Sequence, residues 1–184
     1  SGAQAGDDIY VSGTLGDARL ALEVFRGTLN VPAEVFRQAR ARLELPTPRV
    51  ALGLALRGVA SSAIDVSDGL LGDLGHILRA SGVGAVINTA DAIKLMATNQ
   101  YSAKAETGFG LDKQLDYVLA GGDDYELVFT AQAARRQAVQ AAAARAQTPI
   151  TRIGYIAAQP GLRLVDAQGA PVSVQHLRSF EHFA

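Results

Sequence analysis

The sequence contains no cysteine, which excludes disulfides and thiolate metal sites and fits a cytoplasmic protein. Histidine is scarce: His76, His176 and His182 are the only ones, and none has the spacing of a zinc site. There is no Gly-x-x-x-x-Gly-Lys-Ser/Thr loop, so the chain is not a P-loop enzyme. Gly82-Val83-Gly84 is followed by Ile87 where a dinucleotide-binding fingerprint needs its third glycine. No Gly-x-Ser-x-Gly elbow is present. No apolar run reaches the roughly 18 residues of a membrane span, and no signal peptide is visible. An excess of charge is missing too. The formal net charge is -1 and the pI is near 6.3, so bulk charge attracts neither nucleic acid nor an anionic membrane. The first residue is Ser1 rather than Met, as expected of a fragment or a processed product.

What remains is globular. The 184 residues are 48% hydrophobic and 19% charged, which is enough for one domain with its own core and too apolar for a disordered chain. Residues 8–13 alternate and are β-rich, so they read as a strand. Thr14 is placed to cap a helix over 15–25, and Pro32 opens a second helix over 33–43. Pro46-Thr47-Pro48 forces an extended break before a third helix over 49–58. A buried strand at 62–66 leads to a helix over 69–80 whose apolar stripe is Leu70, Leu74 and Ile77. A strand at 85–88 follows, and 90–110 carries no clear pattern. A helix over 111–119, a strand at 125–130 and an Ala-rich helix over 131–146 come next. Strands at 152–157 and 162–165 have the spacing of a hairpin. The expectation is an α/β (α+β) fold in one domain over 1–184, a mixed β-sheet with packed helices.

Three places carry candidate chemistry. In Ile64-Asp65-Val66-Ser67-Asp68-Gly69-Leu70, carboxylates and a hydroxyl stand where a strand ends and a helix begins. Alternation puts Asp65 and Ser67 on one face of the strand end. Clustered oxygens suit a hard cation such as Mg²⁺, and the N–H groups of a helix start suit phosphate. The same residues also read as an Asp-Gly turn with Ser67 or Asp68 as an ordinary N-cap. Asp73 falls on the polar side of the helix near His76, where a solvated face is the plain alternative. The second place is Gly121-Gly122-Asp123-Asp124-Tyr125-Glu126-Leu127. Its carboxylates repel one another unless a cation, a ligand or water offsets them. Glu126 lies within the strand, where it can accept a hydrogen bond from an amino heterocycle. The third is Phe180 with His182 and Phe183. These rings either pin the tail to the core or leave one free to stack on a flat heterocycle.

Taken in order with Pro46-Thr47-Pro48-Arg49, Ser81-Gly82-Val83-Gly84-Ala85, Phe129-Thr130, Ile153-Gly154 and Phe180-Glu181-His182-Phe183, these motifs resemble the C-terminal half of the bacterial thiamine-monophosphate kinases. The stretch from Asp7-Asp8-Ile9-Tyr10-Val11 to Gly16-Asp17-Ala18 is similar to the passage leading into that half. The resemblance implies an aminoimidazole ribonucleotide synthetase C-terminal-domain-like fold. It also implies ATP-dependent phosphorylation of thiamine monophosphate to thiamine diphosphate in an intact, homodimeric enzyme. By motif, Asp65 and Asp68 become Mg²⁺ ligands, Ser67 a nucleotide contact, and Glu126 and Phe180 the thiamine phosphate side. Asp73, Asp123 and Asp124 are further acidic candidates. No side chain is required as a covalent catalyst. The family's N-terminal ATP-binding domain has no counterpart in this chain. Lys94 stands where the family usually has Pro, and Ser179 where it has Gly. Two other readings stay open: another ATP-dependent member of the same superfamily, and a non-catalytic ligand-binding or dimerisation module.

Overall fold

The computed structural model describes residues 1–98 and 110–173. In chain order the elements are strand β1 (Asp7–Ser12), helices α1 (Asp17–Phe25), α2 (Ala33–Glu44) and α3 (Val50–Ala55), strand β2 (Ser62–Val66), helix α4 (Leu70–Ser81), strand β3 (Gly84–Asn88), the short helix α5 (Thr89–Ala92), helix α6 (Leu111–Ala120), strand β4 (Glu126–Gln132), helix α7 (Arg136–Arg145), and strands β5 (Ile150–Ala157) and β6 (Gly161–Val165). The strands form one six-stranded sheet in the order β2-β4-β1-β5-β3-β6. All its pairings are antiparallel except β3 with β6, so the sheet is mixed, as expected.

Both faces of the sheet are covered. On one, Ile9, Val11, Val66, Val128 and Ile153 meet Leu20, Leu70, Leu74, Val118 and Leu119 from α1, α4 and α6. The stripe foreseen in α4 is the side that packs: Leu70, Leu74, Ile77 and Leu78 are buried. Each such side chain stabilises the fold by roughly 1.5–3 kcal/mol through removal from water. On the other face, Tyr10, Phe129 and Ala131 pack with Leu52 and Leu56 and with Val139 and Ala142 of α7. The Tyr10 and Phe129 rings stack there at 5.3 Å.

The structure departs from the sequence-based reading at several points. The last two strands are not a hairpin. Strand β3 lies between β5 and β6, pairing antiparallel with the first and parallel with the second. Strand β4 runs to Gln132 and α7 begins only at Arg136, because Ala is compatible with a central strand once Phe129 and Ala131 find a buried face. Helix α3 stops at Ala55. Within the unpatterned stretch, α5 is capped by Asn88, whose Oδ1 accepts from Ala90 and Asp91 N–H at 2.9 and 3.2 Å. Thr14 does not cap α1. Its N-cap is Gly16, and the carboxylate that meets the helix start comes from Asp124, 108 positions away. That long-range cap ties the first helix to the second acidic motif.

Candidate functional site

Strand β2 is an edge strand, and its end carries the first motif out of the sheet. Asp65 is exposed, while Ser67 and Asp68 are half-buried. The N-cap of α4 is Gly69, with no side-chain cap, so neither Ser67 nor Asp68 serves as the N-cap. Asp73 takes the N–H groups instead. Its Oδ2 accepts from Ser67 N at 3.0 Å and from Asp68 N at 3.1 Å. Asp73 is therefore buried beneath the turn and not on a solvated face, which corrects the expectation for this residue. Burial pushes its carboxyl up, the two N–H groups pull it back, and the nearby Asp68 and Asp65 charges add to the upward push.

The second motif docks onto the first by backbone. Asp123 N donates to Ser67 O at 2.9 Å, and Tyr125 N donates to Val66 O at 3.0 Å. Both residues take left-handed backbone angles, φ 69° for Asp123 and 52° for Tyr125. Such angles cost on the order of 1–3 kcal/mol each and persist only where the surroundings enforce them. The approach also depends on Gly122, where a Cβ would come within 2.5 Å of Ser67 O. Together the loops form one wall of a half-open pocket of about 210 Å³, lined by Ser67, Asp68, Gly122 and Asp123 and, from α1 and its C-cap, by Arg19, Leu22 and Arg26.

The remaining acidic residues are turned inward. Asp124 is buried, and its Oδ2 and Oδ1 accept from Gly16 N at 2.7 Å and Ala18 N at 3.3 Å. Burial pushes its carboxyl up to about 8, against the pull of those N–H groups. Glu126 is fully buried. Its Oε1 accepts from Arg42 Nη2 and Arg49 Nη2 at 2.6 Å, and its Oε2 from Arg49 Nε and Ser12 Oγ at 2.6 Å. Hydrogen bonding to Glu126 raises the Arg49 guanidinium in turn. A direct hydrogen bond from an amino heterocycle, as the sequence suggested, would have to displace one of those donors. The partly exposed groups of this cluster are the guanidiniums, with 18% of the Arg42 and 14% of the Arg49 side chain exposed.

Of the residues singled out by sequence, Ser67, Asp68 and Asp123 come together at the pocket. Asp65 stands just outside its lining, Asp73 and Asp124 brace its loops, and Glu126 anchors a separate arginine cluster. Phe180 lies outside the described residues. Sequence reasoning missed Arg19, Arg26 and Arg42. Arg19 and Arg26 lie seven positions apart on one helical face, which is the one signal that groups them.

Among the described residues, no group of three or more His, Cys, Asp or Glu side chains is gathered closely enough to hold a metal ion by itself. The donor set at the turn still fits Mg²⁺, which is commonly bound through one or two carboxylates with phosphates and water filling its other positions. No described helix is long and apolar enough to cross a membrane.

A strand-to-helix turn bearing carboxylates, braced by a Gly-Gly-Asp loop on a mixed sheet, has known counterparts. The chain belongs to the family described as AIR synthase related protein, C-terminal domain, which matches residues 4–167. Within that family it is similar to thiamine-monophosphate kinases. It is 40% identical to the one from Salmonella typhimurium over 186 aligned residues, covering 100% of this chain and 54% of that protein. The crystal structure of thiamine-monophosphate kinase from Stenotrophomonas maltophilia K279a superposes with a TM-score of 0.77 at 43% identity, over 92% of this chain and 52% of that one. A structure of AaThiL complexed with AMPPCP and TMP gives a TM-score of 0.75 at 27% identity, over 100% of this chain and 53% of that one. The chain thus spans about half the length of the relatives it matches.

Proposed function

We propose that this chain is the C-terminal, substrate- and metal-binding part of a thiamine-monophosphate kinase, which transfers the terminal phosphoryl group of ATP to thiamine monophosphate. The observation that carries the reading is the joining of two distant motifs at one pocket by the Asp123 N–H to Ser67 O hydrogen bond. The similarity to thiamine-monophosphate kinases over the whole chain supports it. Asp65 and Asp68 would hold Mg²⁺, with Asp123 adding negative charge on the facing loop. The ion would neutralise the charge that builds on the phosphoryl oxygens. The Ser67 hydroxyl contacts the nucleotide. Asp73 and Asp124 act as positioning residues that fix the two loops.

On the acceptor side, Glu126 acts through Arg42 and Arg49, holding their guanidiniums in place, and Phe180 stacks on the thiamine ring. Phosphoryl transfer needs positioning and charge neutralisation more than a covalent partner, and none of these roles asks a side chain to form a bond. The longer protein would work as a cytoplasmic homodimer, with the remainder of the nucleotide site supplied by the half that the relatives have in addition. This chain alone is then expected to fold without turning over substrate.

The test is a chimera in which this chain replaces the matching segment of the Salmonella typhimurium enzyme, assayed for ATP-dependent formation of thiamine diphosphate beside the chain alone. The reading expects a working chimera and an inactive chain. A folded chimera that ignores thiamine monophosphate but acts on an aminoimidazole nucleotide would place the chain with another member of the superfamily.

A further inference from the structure

The pocket beside Ser67 has a second wall that neither acidic motif supplies. Arg19 and Leu22 on α1 and Arg26 at its C-cap repeat at helical spacing and face Ser67, Asp68, Gly122 and Asp123 across the cavity. Both guanidiniums are tied to one carboxylate, with Arg19 Nη2 2.9 Å and Arg26 Nη1 3.2 Å from Glu23 Oε1. Glu23 also accepts from the Thr28 hydroxyl. One anion between two cations leaves this wall with a net positive charge. The Arg19 Nε is buried and makes no hydrogen bond among the described residues, so contact with a ligand falls to the Nη groups of that guanidinium. Its stem is set against the second loop: a Cβ on Gly121 would lie 2.9 Å from Arg19 Cβ.

A cavity with carboxylates on one side and guanidiniums on the other rejects simple ligands. A bare anion meets Asp68 and Asp123, and a bare cation meets Arg19 and Arg26. A metal–polyphosphate complex satisfies both walls, with the cation toward the carboxylates and the phosphate oxygens toward the planar guanidinium donors. We propose that Arg19 and Arg26 are the phosphate-contacting residues of this pocket and that its ligand is a Mg²⁺-bound polyphosphate. Identifying that ligand as the triphosphate of ATP rests on the kinase reading above; the phosphate contact itself does not. This wall supplies the positive clamp for a triphosphate that the motifs alone lack.

The test titrates the chain calorimetrically with Mg²⁺–tripolyphosphate. Arg19→Ala is expected to weaken binding about tenfold or more, as befits the loss of a charge-assisted contact. Arg26→Ala, whose half-exposed side chain can be removed without harm to the fold, should weaken it severalfold. Arg37→Ala, on an exposed face of α2 and paired with Glu34, should leave it unchanged. Glu23→Gln removes the counter-charge and should bind at least as tightly as the wild type, a result that a purely structural role for the arginines would not give. Failure of the wild type to bind, or wild-type affinity in both Arg26→Ala and a folded Arg19→Ala, overturns the proposal. Arginine-dependent binding of tripolyphosphate by a chain whose chimera is inactive on thiamine monophosphate would sink the kinase reading and leave the phosphate wall standing.

Discussion

The turn at Asp65–Asp68 and the cluster around Glu126 are neighbours across one strand pairing, since Val66 lies opposite Glu126. Their carboxylates nevertheless serve opposite ends. Glu126 has no exposure, and both its oxygens are taken up by Arg42, Arg49 and Ser12. Asp65 is exposed and Asp68 half-exposed, over a turn whose N–H groups are satisfied from below by Asp73. A carboxylate saturated by guanidiniums inside the protein organises structure. One lifted toward solvent by a buried partner is available to a ligand. Sequence proximity to a motif does not tell the two apart, whereas burial does.

The sharpest way to break the contrast is to empty the closed side. Glu126→Ala leaves two partly buried guanidiniums facing each other, and about 3–5 kcal/mol of stability should be lost. Urea unfolding of the chain reads this directly, and a loss below 1 kcal/mol would mean the cluster is not structural. Next comes the joint between the regions. Gly122→Ala sets a methyl group against Ser67 O and should cost about 1–3 kcal/mol, with the phosphate affinity of the pocket falling in the same variant. A wild-type melting curve together with wild-type affinity would show that the loop yields freely.

The buried carboxylates also set a pH dependence. Burial pushes the Asp124 carboxyl up to about 8 in the folded chain, against an ordinary value of 3.8. Between those values the folded state holds the extra proton. This group's contribution therefore falls as pH rises from about 4 to 8 and levels off above. Burial shifts Asp17 in the same direction. The opposite sign belongs to Asp8, which the Arg136 hydrogen bond holds low; its contribution is lost on acidification. The Gly16 and Ala18 N–H groups offset part of the burial penalty but leave the net shift upward, so the decline extends across the whole interval toward pH 8. Asp124→Asn, which mimics the protonated side chain, should flatten it. An unchanged slope between pH 5 and pH 8 in that variant would show that Asp124 is ionised throughout. The smallest effect belongs to the open side. Asp65→Asn and Asp68→Asn should each change stability by no more than about 0.5 kcal/mol.

Much of this was legible in the sequence, for definite reasons. The stripe on α4 follows from period 3.6, and the Asp65–Gly69 turn from a β-rich run meeting Asp-Gly. The order of the strands was not legible, because inserting β3 between β5 and β6 is decided by long-range pairing and not by the length of the intervening loop. The same limit hid the roles of Asp73, Asp124 and Glu126. Their partners lie five to more than a hundred positions away, and an acidic residue reads alike whether it will face a cation or a backbone N–H. Arg49 was visible only as part of the Pro46-Thr47-Pro48-Arg49 motif, and nothing local linked it to Glu126, 77 positions on.

One measurement bears most directly on the claim that the turn is open to a metal–phosphate ligand while its neighbours are structural. Mg²⁺-dependent binding of an ATP analogue such as AMPPCP should be titrated on the wild-type chain and on Asp68→Asn, with urea unfolding of both samples alongside. The account predicts binding that requires Mg²⁺, is lost in Asp68→Asn and leaves the unfolding curves superimposed. Equal affinity in the two proteins, or binding indifferent to Mg²⁺, would contradict it.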